Sequence, residues 1–219
     1  MTEFRAEIGF SAISQVEAYW EGLRGARMTP KRSEIDPRGI ESALEYTFVL
    51  ERIAPGMARI RIAGSHLGNL MGMEVRGMPL TSLITPPCRR QISDAIEDVC
   101  QRPAICELRM SAEMTMSKPQ MDARLLMLPL KSDLGDVSRI LGCFVAQGDV
   151  GRTPRRFNVV GARIRPITAP STAPAPIKPA VQPEVQRARV DGFAESQKSF
   201  ESTTPRSDVP YLRLVKPDD

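Results

Sequence analysis

The stretch Met57-Ala-Arg-Ile-Arg-Ile-Ala63, continued by Gly64-Ser-His-Leu-Gly-Asn-Leu-Met-Gly72, decides the fold of this chain. In its first half, Ile60 and Ile62 alternate with two arginines, which is typical of a strand with one buried face. Both isoleucines are therefore expected on the same side of a sheet. In its second half, closely spaced glycines leave room only for short helical turns. A half-buried strand that leads directly into small helices predicts a mixed α+β domain.

Five segments in all carry the pattern of a strand. They are 46–53, 57–63, 106–112, 121–130 and 137–147. Pro55-Gly56 forms a turn between the first two, and polar stretches form turns between the last three. This order predicts an antiparallel sheet of five strands, with helices on one face and a cavity beneath those helices.

Three helices are predicted from capping residues and apolar spacing. The first follows Ser14 as N-cap and ends at Gly25, and the second begins at Asp36 and Pro37. The third, over 86–101, has the clearest amphipathic pattern in the chain. Its apolar residues recur at i, i+3, i+4, i+7 and i+8, and are Ile92, Ala95, Ile96, Val99 and Cys100.

Composition excludes several classes of protein. The 219 residues carry 30 basic and 26 acidic side chains, and a net charge of +4 is too mild to predict nucleic-acid binding by itself. The four cysteines form no CxxC pair and there is one histidine, which argues against a zinc site and fits a reducing compartment. No apolar run approaches the roughly 20 residues of a membrane span, so we expect a soluble cytoplasmic protein without membrane insertion. The common catalytic motifs are absent, so we expect neither an enzyme nor a bound metal.

The chain divides into four regions. Residues 1–45 hold the N-terminal helices, and 46–149 form the predicted core domain. Residues 150–165 are rich in arginine and surround a short apolar run, which could add one strand or none. Residues 166–219 are dominated by Pro, Ala, Thr and Gln, a composition that favours a disordered tail.

Residues 20–147 resemble a divergent branch of the bacterial PAS-domain family. The resemblance is carried by Trp20-Glu-Gly-Leu-Arg-Gly-Ala-Arg27, Pro30, Arg32, Ile35-Asp-Pro37, Arg61-Ile-Ala-Gly-Ser65, Leu67, Leu70, Gly72 and Gly77. PAS domains are sensory and protein-interaction modules with a five-stranded antiparallel sheet and helices over one face. The resemblance implies a PAS-type signalling regulator that acts by protein–protein interaction, with a sensor kinase or a regulator as partner. It leaves room for a homodimer and for gating by a small-molecule ligand.

Some PAS domains hold flavin or haem, so both cofactors were weighed against the residues. A light-sensing flavin domain needs a reactive cysteine in a short helix, but the corresponding turns here, His66-Leu-Gly-Asn-Leu-Met71, contain none. Haem needs an axial ligand, and the single histidine, His66, is expected to be an exposed turn residue. No cofactor is therefore predicted.

Two sets of candidate binding residues follow. A small molecule between the helix over 86–101 and the sheet would contact apolar side chains that equally suit a plain core. They are Leu67, Leu70, Met71, Leu83, Ile92, Ile96, Leu108 and Met110. A partner protein would dock on the first helix, whose aromatic face equally suits core packing, or on an apolar motif in the tail. The residues concerned are Tyr19, Trp20 and Leu23 in the helix and Tyr211, Leu212 and Leu214 in the tail.

An alternative function is a receptor for an anionic nucleotide second messenger. It would use Arg24, Arg27 and Arg32, although local pairing of these arginines with Glu34 and Asp36 is the favoured interpretation. Binding of nucleic acid through the arginines of 150–165 is a third hypothesis. It is not expected, because that segment lacks aromatic side chains beyond Phe157.

Overall fold

The computed structural model describes residues 10–168. The helices are α1 (Ser11–Arg24), α2 (Ser65–Met71) and α3 (Arg89–Gln101), and the strands are β1 (Thr47–Ala54), β2 (Met57–Ala63), β3 (Ala104–Ala112), β4 (Asp122–Lys131), β5 (Val137–Gln147) and β6 (Phe157–Pro166). Short 3-10 helices lie at Arg32–Glu34, Pro37–Tyr46, Leu80–Leu83 and Pro86–Cys88. All five predicted strands and all three predicted helical regions are present, with bounds that differ by a few residues.

The six strands form one sheet in the order β2-β1-β5-β4-β3-β6, and every neighbouring pair is antiparallel. The sixth strand extends the predicted five-stranded sheet by pairing with β3 from Phe157↔Ala112 to Pro166↔Ala104. Phe157 is fully buried in the core on one face, and Ile167, just after the strand, packs on the other face. The ordered domain therefore continues past residue 149 and takes in the first residues of the region that composition assigned to the tail.

A β-bulge in the β1–β2 hairpin decides the position of Ile62. Leu50 pairs with Ile60, whereas the preceding Val49 pairs with Ile62, so Arg61 is an extra residue on β2. An extra residue reverses the alternation of side chains beyond it. Ile60 is fully buried in the inner core, but 54 % of the Ile62 surface is exposed, so the prediction that both isoleucines share a buried face is wrong.

The inner face of the sheet is covered by α2, α3 and the segment between them. The five apolar residues predicted for the buried stripe of α3 are all buried, as expected. They pack with Phe48 and Leu50 of β1, Leu108 and Met110 of β3 and Phe144 of β5. This inner core is the part of the fold that the amphipathic patterns described best.

The outer face is covered by α1 and by the 3-10 helix Pro37–Tyr46, so helices lie on both faces of the sheet rather than on one. Trp20 is fully buried there, and its indole N–H donates a hydrogen bond to the carbonyl oxygen of Pro129 at 3.0 Å. The reason lies in the two central strands, which are buried without interruption over Leu125–Leu130 of β4 and Ile140–Val145 of β5. A strand that is apolar on both sides needs a covering layer on each side.

Candidate functional site

An apolar groove opens on the outer face where β2 forms the edge of the sheet. Its floor is made by β1, β2 and β5, and its wall by the 3-10 helix Pro37–Tyr46 and the segment before it. The groove, here called the β2 groove, has a volume of about 350 Å³. Its apolar lining includes Ile35, Ile40, Leu44, Val49, Ile62 and Leu141.

The wall of the β2 groove is held by local interactions. The Asp36 carboxylate accepts a hydrogen bond from the backbone N–H of Arg38 at 3.0 Å, and Pro37 occupies the first helical position. The helix buries Ile40 and leaves 42 % of the Leu44 surface exposed at the rim. The wall therefore presents one leucine to the open groove.

Gly64 allows the wall to approach the end of β2. A Cβ at this position would overlap the carbonyl oxygens of Leu44 and Glu45. The Gly64 N–H also donates to the carbonyl oxygen of Thr47 at 2.8 Å, which closes the β1–β2 ladder. Together with the bulge at Arg61, this brings the exposed Ile62 and Leu44 to the same groove.

The three arginines predicted as an anion site differ in their ion-pair partners. Arg24 pairs with Glu21 at 2.7 Å, and Arg27 pairs with Glu34 at 2.8 Å and holds the pKa of that carboxyl below its ordinary value. Arg32 lines the β2 groove and has no ion-pair partner within residues 10–168. Two of the three charges are thus already neutralised by local pairing, as the alternative interpretation of this cluster predicted.

The eight residues predicted to contact a small molecule are all part of the packed inner core. Each is at most 4 % exposed: Leu67, Leu70, Met71, Leu83, Ile92, Ile96, Leu108 and Met110. They pack on one another and on the sheet, and of the eight only Leu108 and Met110 also line a surface cavity. In this structure they fill the space that the pattern predicted as a cavity.

The three α1 residues predicted to dock a partner are not a free surface. Trp20 is fully buried against the sheet, so it cannot be an exposed anchor, and the alternative of core packing is correct for this residue. The Tyr19 hydroxyl donates to the carbonyl oxygen of Asp36 at 3.0 Å and accepts from its N–H at 2.7 Å, and Leu23 is half-buried. The tail residues Tyr211, Leu212 and Leu214 lie outside the described residues.

The arginines of 150–165 are spread over different environments. Arg155 is fully buried, and its guanidinium donates to the carbonyl oxygens of Val150 at 2.8 Å and Pro119 at 2.5 Å. Desolvation lowers the pKa of Arg155. Arg165 pairs with Glu17 of α1. A nucleic-acid surface made by this segment as a whole is therefore not supported.

His66 is partly buried, which corrects the prediction of an exposed turn residue. Its Nε2 accepts a hydrogen bond from the backbone N–H of Ala146 at 3.1 Å, because β5 extends beyond the start of its neighbour β1 and leaves that donor unpaired. The ring meets Tyr46 edge-on, with 4.9 Å between centroids. Burial lowers the pKa of His66, and the charge of Glu45 raises it to a smaller extent. The imidazole is therefore neutral and structural.

Three of the four cysteines, Cys100, Cys106 and Cys143, are buried and unsuited to nucleophilic chemistry. Burial raises the pKa of Cys100 to about 11 and the pKa values of Cys106 and Cys143 to about 12. Within residues 10–168, no three His, Cys, Asp or Glu side chains form a cluster that could hold a metal ion. In the same part of the chain, no helix is long and apolar enough to cross a membrane.

A family model described as the PAS domain matches residues 10–145, more than half of the chain. The chain therefore belongs to the PAS-domain family. Its antiparallel sheet with helices packed on it agrees with that family, and a sensory role in signalling follows from membership.

Three solved structures of light-oxygen-voltage (LOV) domains are similar to this chain. The first is a LOV domain described in a study of its mechanism with a flavin analogue. It has a TM-score of 0.37 and 14 % identity, and the match covers 51 % of this chain and 84 % of the LOV chain. The light state of the blue-light photoreceptor Aureochrome1 LOV has a TM-score of 0.35, 12 % identity and coverage of 51 % and 88 %. An RNA-binding LOV receptor has a TM-score of 0.35, 18 % identity and coverage of 53 % and 35 %. Such low scores carry no argument about function, and no curated protein matches the chain.

The residues of the β2 groove were missed by the sequence patterns. Ile35 and Leu44 belong to a 3-10 helix and the segment before it, and the apolar pattern predicts a helix there but does not show that this helix forms one wall of a groove. Ile62 was assigned to the core because nothing in an alternating pattern reveals a bulge. No residue type beside Ile62 marks the irregularity, although bulges are common at sheet edges.

Proposed function

We propose that this PAS domain takes part in signal transduction by binding a partner protein in the β2 groove. The observation that carries the proposal is the pair of exposed apolar side chains, Leu44 and Ile62, that line an apolar groove of about 350 Å³. Apolar side chains that surround a concave surface are typical of interaction sites, where a few buried anchors supply most of the affinity.

The lining also defines the chemistry of the partner. The floor is made by aliphatic side chains, so an inserted leucine, isoleucine or phenylalanine would be desolvated there. Arg32 stands at the groove with no ion-pair partner among residues 10–168, so an acidic side chain beside that anchor would find a positive charge. A segment with an apolar anchor next to an aspartate or glutamate fits both features.

Side-chain insertion fits this edge better than addition of a strand. The outer edge of β2 is already occupied near Ile60, whose N–H donates to Met78 at 2.9 Å and whose carbonyl oxygen accepts from Gly77 at 2.7 Å. A partner that adds a strand needs such groups free. The partner is therefore recognised through side chains in the groove, and a sensor kinase or a regulator is the kind of protein that family membership suggests.

Two further properties belong to this proposal. The domain works without catalysis of its own, which agrees with the raised pKa values of its buried cysteines and with the neutral, hydrogen-bonded His66. It acts in the cytoplasm, where a signalling partner would reach it. Recognition of a nucleotide by Arg24, Arg27 and Arg32 is disfavoured, because Arg24 and Arg27 already pair with carboxylates.

A photo-crosslinking residue at position 62 tests the proposal in the native host. We expect an adduct with one other protein, and the same adduct when that protein is purified and mixed with the domain. Position 116 supplies the matched control, because Met116 is a fully exposed apolar residue that lies outside the groove. Equal adducts at both positions, no adduct at position 62, or an adduct only within the chain itself would contradict the proposal.

A further inference from the structure

We propose a second site, on the outer face of β4, β3 and β6, that binds a compact polyanion: a small molecule with two or more phosphate or carboxylate groups. The site is a cavity of about 330 Å³. It is lined by Glu107 and Arg109 of β3, Arg124 of β4, and Gly161, Ala162 and Arg163 of β6. It lies on a different part of the sheet from the β2 groove and does not depend on the function proposed for that groove.

The strand register brings the three arginines together. Arg109 pairs with Arg124 on one side and with Gly161 on the other, and Glu107 pairs with Arg163 in the next row on the same face. The three charges therefore come from three neighbouring strands, although they are far apart in the sequence. This convergence depends on the pairing of β6 with β3, so it could not be predicted from any single segment.

Two of the arginines are held in place by their surroundings. The Arg124 guanidinium lies 4.7 Å from the centre of the Phe10 ring, and its Nη1 is 3.6 Å from Oε1 of Glu107. Arg109 uses the room left by Gly161, since a Cβ on that glycine would lie 3.0 Å from its Nη2. A guanidinium held in this way loses less freedom when it binds an anion.

The charge of the cavity is not balanced by the protein. Three arginines line it against one glutamate, and within residues 10–168 neither Arg109 nor Arg163 has a carboxylate at ion-pair distance. Arg109 and Arg124 stand directly opposite each other, and like charges in such cross-strand pairs destabilise a sheet. An anion between them would remove this repulsion, and the planar guanidinium suits the paired oxygens of phosphate and carboxylate groups.

The surroundings favour a small anion over a nucleic acid. The two arginines of this part of the sheet that are unpaired within residues 10–168, Arg109 and Arg163, line one cavity, and next to it the outer face carries the Arg165–Glu17 pair and the acidic Asp122. The nearest aromatic ring, Phe10, is only 6 % exposed and is already covered by Arg124. A single strand of nucleic acid needs a basic track and open aromatic faces for its bases.

Calorimetric titration of the full chain with pyrophosphate and, separately, with citrate tests the site. We expect at least one of the two to bind, with an affinity that falls as salt is added. Binding of pyrophosphate alone would identify phosphate groups as the ligand chemistry, and binding of citrate alone would identify carboxylates. The variants Arg109→Ala and Arg163→Ala should each weaken binding by about tenfold, the loss expected for one charge-assisted hydrogen bond.

Two more variants make the test specific. Glu107→Gln removes the only carboxylate of the lining and should strengthen binding, whereas Arg90→Ala on α3, which packs on the inner face of the sheet, has a side chain that is 93 % exposed and should leave binding unchanged. Thermal melts of all variants show that they are folded. The proposal is overturned if neither anion binds, if Arg90→Ala weakens binding as much as Arg109→Ala, or if only a single-stranded oligonucleotide binds.

Discussion

Gly64 has an ordinary backbone conformation, with φ of −69°, but no room for a side chain. Its neighbours are backbone carbonyl oxygens of Leu44 and Glu45, which cannot rotate away as a flexible side chain would. We expect Gly64→Ala to lower the free energy of unfolding by about 2 kcal/mol or more, as in other overpacked sites. Urea unfolding measures this.

Gly22 supplies the control for that substitution. It lies in α1 with nothing within 4 Å of a built Cβ, so Gly22→Ala should stabilise the protein by about 0.5–1 kcal/mol. If both variants unfolded at the same urea concentration, the conclusion that Gly64 has no room for a side chain would be contradicted.

His66 makes the stability of the domain depend on pH. Burial lowers the folded-state pKa of His66 below the ordinary value of 6.5, so the unfolded chain takes up the proton first as the pH falls. The stability that neutral His66 contributes is fully present above the ordinary pKa of 6.5. It is lost as the pH falls from that value through the lower pKa of the folded state. Protonation also removes the Nε2 acceptor from the Ala146 N–H, at a cost of about 1 kcal/mol.

Unfolding by urea at about pH 8 and at about pH 5 checks this prediction, since the two values lie on either side of an ordinary histidine pKa. The other groups that face the ring are Glu45, whose charge opposes the shift, and Tyr46. In His66→Gln the side-chain oxygen can still accept from Ala146 but does not titrate, so the variant should lose less stability on acidification. An equal loss in both proteins would assign the pH dependence to other groups.

Among the secondary-structure elements, α1 contributes directly to the core on the outer face of the sheet. Trp20→Ala removes a fully buried indole and its hydrogen bond to Pro129, and should cost about 3–5 kcal/mol of unfolding free energy. Trp20→Phe keeps most of the apolar contact and should cost clearly less. Urea unfolding distinguishes the two, and an unchanged midpoint for Trp20→Ala would mean that α1 does not stabilise the sheet.

Some of these elements could be predicted from the sequence alone, and others could not. The stripe of α3 and the first five strands were predictable, because each pattern reports the burial of its own residues. The covering of the outer face and the position of Ile62 were not, since they depend on α1 packing across β4 and β5 and on one bulge at Arg61. The β2 groove is lined by residues of the outer covering layer and by Ile62 beyond the bulge. No single stretch of sequence could therefore predict it.

At the scale of the whole molecule, the folded unit should extend to residue 168 rather than to residue 150. Arg155 and Phe157 are fully buried, and β6 pairs with β3 along its length. A fragment of residues 1–168 should melt at the temperature of the full chain, whereas 1–150 should lose cooperative unfolding. Equal melting temperatures for the two fragments would show that β6 adds nothing to the fold.

The central claim is that partner binding depends on the β2 groove. It is tested most directly by calorimetry with the partner identified by crosslinking at position 62, once that partner is purified. We predict that Ile62→Ser weakens binding by about tenfold or more, as for a buried anchor, while Met116→Ser leaves the affinity unchanged and both variants keep the melting temperature of the parent. Unchanged affinity for Ile62→Ser, or equal losses in the two variants, would contradict the account.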